Sequence, residues 1–369
     1  MKIALKNPAL YVVVDFGVAG ERSRENNIFD RKRAETDDKN FPGVLVPVAL
    51  YEEGIRQGIQ LLTPDVYFAM DPRPHNVIFV RNTVASGGFS DRLLAAGVRQ
   101  AVILAYENPL YMCQYFYHLE KNTKNADHVF VPKGAMLRVS KQAKTHHWIS
   151  PMPYDSDRVV PGGWSERKFL TMINANARIQ FLRRWYVHFW NAIRPFPSLV
   201  DRELYVDRLE AIKFFAERGA DFDLYGRGWD RPVRYTRQYD AAIQKTSRGE
   251  IADKLAALRQ YRFCLVFENC IFDGWVTEKV IDAFVAGCIP VYWGAPDITD
   301  YVAENCFIDI RKFKNFSELN VFLNNIDEKA YNQYIKNIEA FFASEKCRRW
   351  WSKEKFAKEM VEIFKTYIQ

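Results

Sequence analysis

The residues of this chain best placed to do chemistry lie in one stretch. It runs from Phe267-Glu268-Asn269 through Trp275-Val276-Thr277-Glu278-Lys279 to Ala286-Gly287-Cys288-Ile289-Pro290-Val291-Tyr292-Trp293-Gly294. Lys279 falls in what the pattern makes the first turn of a helix, where a cation opposes the dipole. Set against a phosphate, the same cation makes sense; otherwise it is a solvated lysine. Glu278 suits that first turn as an acid. Asn269 either binds ligand hydroxyls or closes its own loop by an Asx-type turn.

The elements that position these groups follow from the spacing of apolar residues. Residues 262–267 and 289–293 are apolar runs of strand length, and Val280, Ile281, Phe284 and Val285 between them repeat at helical spacing. That is one βαβ unit of a parallel sheet. Thr277 suits the helix N-cap and Gly287 the left-handed residue that ends it. The loop 268–276 therefore lies at a helix N-terminus beside the carboxyl end of a strand, where phosphates and nucleotides bind in such sheets. Upstream, strands are expected at 10–15, 76–80, 101–106 and 128–131, with a helix-like 91–97 and a charged mobile loop over 20–43. A stretch dense in Pro, Asp, Ser and Gly near 151–166 marks the crossing to a second domain. That domain opens with strand 169–173 and continues through an aromatic and basic segment at 177–200, helix 203–217, strand 221–225 and helix 249–260. The chain ends in a helix over about 350–367.

At 369 residues the chain accommodates two α/β domains. With 48% hydrophobic and 26% charged residues it has the make-up of a soluble globular protein, and no apolar run approaches the ~20 residues that cross a bilayer. No secretory h-region precedes Pro8, so the expected location is cytoplasmic, with the inner membrane surface as an alternative seat. The six cysteines form no C-x-x-C pair and read as small core residues. The six histidines have no ligand spacing, and His146 and His147 would point to opposite faces of an extended segment. No metal is expected. A net charge of +7 suits a pyrophosphate-bearing ligand, an anionic membrane or nucleic acid; no nucleic-acid-binding module appears, and that partner is not expected.

The 267–294 stretch resembles the alpha-1,3-fucosyltransferase family, glycosyltransferase family ten, whose donor-site signature runs FEN, a spacer, Tyr or Trp, VTEK and an AG-x-x-P-V-x-x-G turn. The likeness continues upstream through Phe169-Leu170-Thr171-Met172-Ile173-Asn174-Ala175-Asn176 and Asp221-Phe222-Asp223-Leu224-Tyr225-Gly226-Arg227-Gly228-Trp229. It covers about residues 166–345, is nearest in texture to the bacterial branch, and is faint over the first 160. It implies the GT-B architecture: an acceptor-side Rossmann-like domain (1–160) and a donor domain (161–345) facing across a cleft, with 346–369 packing back on the first. The implied reaction is inverting transfer of L-fucose from GDP-fucose to a hydroxyl of a glycan or lipid-linked glycan, in surface polysaccharide or glycoconjugate synthesis and without a metal. The alternatives are the same reaction with another nucleotide sugar, or an idle sugar-nucleotide-binding protein.

Such a transfer needs a base for the acceptor hydroxyl and cations or dipoles for the departing diphosphate. By resemblance Lys279 and an arginine hold the diphosphate, while Asn269 and Glu278 fix the donor. The arginine is Arg202, Arg208 or Arg178, because the 177–200 segment blurs the correspondence. Trp275 stands where many relatives have Tyr, which keeps stacking and loses a phenolic hydrogen bond. Glu107, after the strand 101–106, is similar to the glutamate that ends the corresponding family strand and is the expected base; its plainer reading is a surface glutamate before a Pro turn. Asp155-Ser156-Asp157 and Asp221-Phe222-Asp223 are D-x-D triplets too short to imply metal. The aromatic-basic segment 179–194 and Arg348-Arg349-Trp350-Trp351 could seat the protein on an anionic membrane, or simply pack internally.

Overall fold

The computed structural model describes residues 4–15, 24–36, 42–83, 88–105, 107–149, 151, 163–176, 189, 202–219, 221–231 and 237–368. The chain forms two compact units, Met1–Pro153 with Arg349–Gln369, and Tyr154–Arg348.

The first unit is a six-stranded parallel sheet. Its strands are β1 (Leu10–Asp15), β2 (Ile59–Leu62), β3 (Val77–Asn82), β4 (Arg99–Leu104), β5 (His128–Val131) and β6 (Lys144–His147), in the order β2-β1-β3-β4-β5-β6. The run Leu-Tyr-Val-Val-Val-Asp makes β1 an interior strand, because β-branched side chains fill both faces of a sheet covered on each side. Val12 and Val14 point to one face, where helix α1 (Leu45–Arg56) supplies Leu50 and the C-terminal helix Lys353–Lys365 supplies Phe356, Met360 and Phe364. Val13 points to the other, against Phe79, Leu93 and Tyr67. The C-terminal helix is capped by Ser352, whose hydroxyl accepts from Lys355 N at 3.1 Å. Next to it Trp351 is buried, and the Trp350 ring lies 4.9 Å from that of His147.

Three expectations change here. The edge strands β2 and β6 went unread because β2 is four residues long and β6, Lys-Thr-His-His, is polar. The stretch 20–43, expected as a mobile loop, contains the helix Arg31–Thr36, which Arg31 ties to α1 by a bidentate pair with Glu52 at 2.8 and 2.7 Å. β4, expected over 101–106, runs over Arg99–Leu104, so it ends two residues early.

The second unit is a five-stranded parallel sheet of β7 (Lys168–Ile173), β9 (Phe222–Tyr225), β10 (Tyr261–Phe267), β12 (Ile289–Trp293) and β13 (Ile308–Asp309), in the order β13-β12-β10-β7-β9. A short antiparallel ribbon joins β8 (Arg202–Glu203) to β11 (Cys270–Ile271). The order of the sheet reverses between β7 and β10, and at such a switch point the loops leave the carboxyl ends of adjacent strands in opposite directions and open a crevice. Aromatic side chains fix β10 at the centre, with Tyr261, Phe263 and Phe267 fully buried. Helices α2 (Tyr205–Glu217) and α3 (Glu278–Val285) follow β8 and β11. The carbonyl end of α3 is satisfied by buried Arg167, which donates to the Ala286 carbonyl at 3.1 and 3.2 Å, and Gly287 takes the left-handed conformation (φ 64°) expected of it.

Five of the cysteines are buried and Cys347 is half-buried. Among the described residues no helix is long and apolar enough to cross a membrane, and no group of three or more His, Cys, Asp or Glu is placed to hold a metal ion.

Candidate active site

The site is built around a carboxylate the sequence reading passed over. Glu268, directly after β10, is fully buried and accepts four hydrogen bonds. Thr277 N donates to its Oε1 at 2.8 Å, Thr277 Oγ1 approaches both oxygens at 2.9 and 3.0 Å, and Lys279 Nζ reaches Oε2 at 2.9 Å. Lys279 Nζ also donates to Thr277 Oγ1 at 2.8 Å. Thr277 does stand at the N-cap of α3, yet its hydroxyl bonds Glu268 in place of the helix backbone. Lys279 is therefore no solvated lysine: 17% of its side chain is exposed, and it is anchored at the mouth of a helix N-terminus. The signal was in the sequence. An acid ending an apolar strand is buried by its neighbours and has to find a cation.

Gly294 belongs to the same arrangement. A Cβ there would lie 2.4 Å from Tyr292 Oη and 2.5 Å from Glu268 Cγ, so only glycine lets the turn after β12 close over the carboxylate.

Glu278 is half-buried. Desolvation, the largest influence, pushes its carboxyl up, but Lys279, Lys254 and local hydrogen bonds outweigh it and hold the group below the usual carboxylate range. Lys254 is itself fixed by buried Asp282 at 2.5 Å. Glu278 is thus kept as an ionised acceptor, suited to paired hydroxyls.

The arginines divide by their partners. Arg208, in the first turns of α2, is buried; its Nη2 donates to the carbonyls of Phe267 at 3.0 Å and Glu268 at 2.7 Å and to Asn269 Oδ1 at 2.8 Å. It holds the Phe267-Glu268-Asn269 turn in shape, and it orients the amide of Asn269. Arg202 is 56% exposed, pairs with Asp207 and lies over the Trp293 ring at 5.5 Å. The structure thus brings Arg202, Arg208, Asn269, Glu278 and Lys279 around one loop. Arg178, Asp155 and Asp157 lie outside the described residues, as does the 179–194 segment apart from Phe189.

Trp275 is half-buried in the same loop, and its indole N–H is buried with no hydrogen-bond partner among the described residues. Gly274 N donates to Asp297 Oδ1 at 2.9 Å and steadies the turn beside it. In the first unit, Glu107 is half-buried three residues beyond β4, and Asn108 closes the turn after it by accepting from Leu110 N at 2.6 Å. The second D-x-D triplet is used by the fold. Asp221 accepts from Phe169 N, and Asp223 from Lys168 and Tyr261 through one oxygen and Arg248 through the other.

Residues 201–364 match the model of the glycosyltransferase family 10 (fucosyltransferase) C-terminal domain. The chain is 35% identical over 123 residues to the alpha-(1,3)-fucosyltransferase FucT of Helicobacter pylori, covering 27% of this chain and 26% of that one. It is 29% identical over 139 residues to the GDP-fucose protein O-fucosyltransferase 3 of Xenopus tropicalis, covering 37% and 27%. The matched segments span about a quarter of the length of these relatives. Among solved structures, Anabaena Alr3699/HepE in complex with UDP aligns over 97% of this chain and 99% of its own, with a TM-score of 0.52 at 10% identity. At that identity the likeness shows the fold alone, the α/β GT-B class with two Rossmann-like domains. Residues 201–364 thus carry a domain of the glycosyltransferase family 10 (fucosyltransferase) C-terminal type.

Proposed function

We propose that this protein is an inverting fucosyltransferase that moves L-fucose from GDP-fucose to a hydroxyl of a glycan acceptor. The observation that carries the reading is the Lys279 ammonium, locked by Glu268 and Thr277 at the N-terminus of α3 beside the switch point of the second sheet. A fixed cation and a helix dipole converge there, the arrangement a departing diphosphate requires. Arg202 supplies a second cation with an open edge, Glu278 and Asn269 accept or donate to donor hydroxyls, and Trp275 covers the donor. Glu107 takes the proton of the acceptor hydroxyl.

Two measurements test this. A ligand bound only by the folded chain at ~100 times its dissociation constant adds about 2.7 kcal/mol of stability, so GDP and GDP-fucose should raise the melting temperature more than UDP and CMP counterparts. Larger shifts with UDP-sugars would replace the fucose reading with the same reaction on another nucleotide sugar. Because Lys279, Arg202 and the dipole neutralise the diphosphate, transfer should persist in excess EDTA; loss restored by Mg²⁺ or Mn²⁺ would reject this cation clamp.

A further inference from the structure

Arg202 is a long, half-exposed side chain, and such a chain loses rotamer entropy when it is held still on a ligand. Three features reduce that cost before any ligand arrives. Its backbone is set by the β8–β11 ribbon, in which Arg202 pairs with Ile271 and Glu203 with Cys270, and Leu204 N donates to the Asn269 carbonyl at 3.1 Å. Its guanidinium lies over the Trp293 ring. Its Nη2 donates to Oδ1 of Asp207, which is buried in the first turn of α2. Among the described residues no other acceptor meets this guanidinium, so its remaining N–H groups form an open edge beside the Asn269 loop. Asp207 Oδ2 is also buried without a partner among the described residues. Burial pushes the Asp207 carboxyl up and Glu203 adds to this, while Arg202 opposes both. A carboxylate so poorly solvated depends on its one cation, and the dependence fixes the cation in turn.

We propose that Asp207 is a positioning residue for the diphosphate clamp: anchored through one nitrogen to this buried carboxylate and lying over the Trp293 ring, Arg202 presents its free edge, already ordered, to the diphosphate of the nucleotide. The inference rests on the donor reading above and adds to it a residue that touches no substrate.

The test is a double-mutant cycle on GDP affinity, measured by calorimetry, with guanosine as the ligand that lacks the diphosphate. Arg202→Ala should weaken GDP by about 10- to 100-fold, the worth of a charge-assisted hydrogen bond. Asp207→Asn, of the same shape, should weaken GDP by about 10-fold while adding little to the Arg202→Ala loss when the two are combined. Guanosine affinity should stay within about twofold in all three variants. Asp207→Glu, which keeps the charge at a different reach, should fall between wild type and Asp207→Asn, and it serves for the cycle if the Asn variant does not fold. Additive losses, an unchanged GDP affinity in Asp207→Asn, or an equal loss for guanosine would each overturn the positioning role alone. A wild-type chain that does not bind GDP, or an Arg202→Ala variant that binds it normally, would instead overturn the donor reading beneath it.

Discussion

The charged residues of the site come in pairs, and each pairing changes what a substitution would report. Lys279 neutralises a carboxylate that has no exposed surface. Removing one member of a buried pair leaves the other uncompensated and costs about 3–5 kcal/mol. Lys279→Ala should therefore lower the denaturation midpoint as well as donor affinity, and Glu268→Gln should do the same, because it loses the charge and in either orientation sets its NH2 against the Lys279 ammonium or the Thr277 N–H. Urea titration with and without GDP separates the two effects; a Lys279→Ala variant unfolding at the wild-type midpoint would show that Glu268 does not rely on it. Glu107→Gln is expected to differ, keeping GDP affinity while slowing transfer by roughly 10²–10⁴-fold; near-normal transfer would place the base elsewhere. The sequence exposed the residue types of this site but not its pairings. Arg202 and Arg208 are both plausible by spacing, and only the faces of β8 and α2 separate the half-exposed guanidinium from the one buried against the Phe267 and Glu268 carbonyls.

At the scale of elements, the strands easiest to read were those with neighbours on both sides, since covering both faces enforces a continuous apolar run. β1, β10 and β12 are of this kind. β6 is an edge strand of polar residues, held by pairing with β5 and by its aromatic contacts, which no apolar period signals. His146, on β6, stacks on Phe130 at 4.4 Å and shares a hydrogen bond with His128 across 2.9 Å. Only one of the facing nitrogens can carry a proton. Burial, then the neighbouring charge of His128 and Lys144, pushes His146 down to about 4; burial and Lys144 also lower His128, against the pull of Asp127. A histidine whose folded value lies below its unfolded ~6.5 is protonated first in the unfolded chain, so stability falls as the pH drops from about 6.5 towards 4. With partial exposure discounted, this edge should lose about 1–2 kcal/mol between pH 7.5 and 5. His146→Gln should remove most of that dependence in urea titrations at the two pH values, and an identical slope in the variant would assign the acid sensitivity to other groups.

Across the whole molecule, the division of the chain departs from its linear order. The last residues, Arg349–Gln369, belong to the first unit. The resemblance implied such a return, whereas the apolar spacing of Phe356, Met360 and Phe364 predicts an amphipathic helix without naming its host. What fixes the host is complementarity: these side chains pack with Leu50 of α1 against the face of the sheet that carries Val12 and Val14, and Tyr367 Oη donates to Asp127 Oδ2 at 2.7 Å beside the Arg99–Asp127 ion pair. Phe364 has no exposed surface, and its truncation to Ala should cost about 3–5 kcal/mol. The loss should appear in amides of residues 10–149, more than 200 positions earlier in the sequence. The described residues of 163–348 should keep their hydrogen-exchange protection, and GDP affinity should be retained, because every residue proposed to hold the nucleotide lies between Arg202 and Lys279. Hydrogen exchange read by mass spectrometry on Phe364→Ala decides the matter. Uniform loss of protection through both units would mean that they unfold as one, and a loss confined to the second unit would contradict the packing of the C-terminal helix.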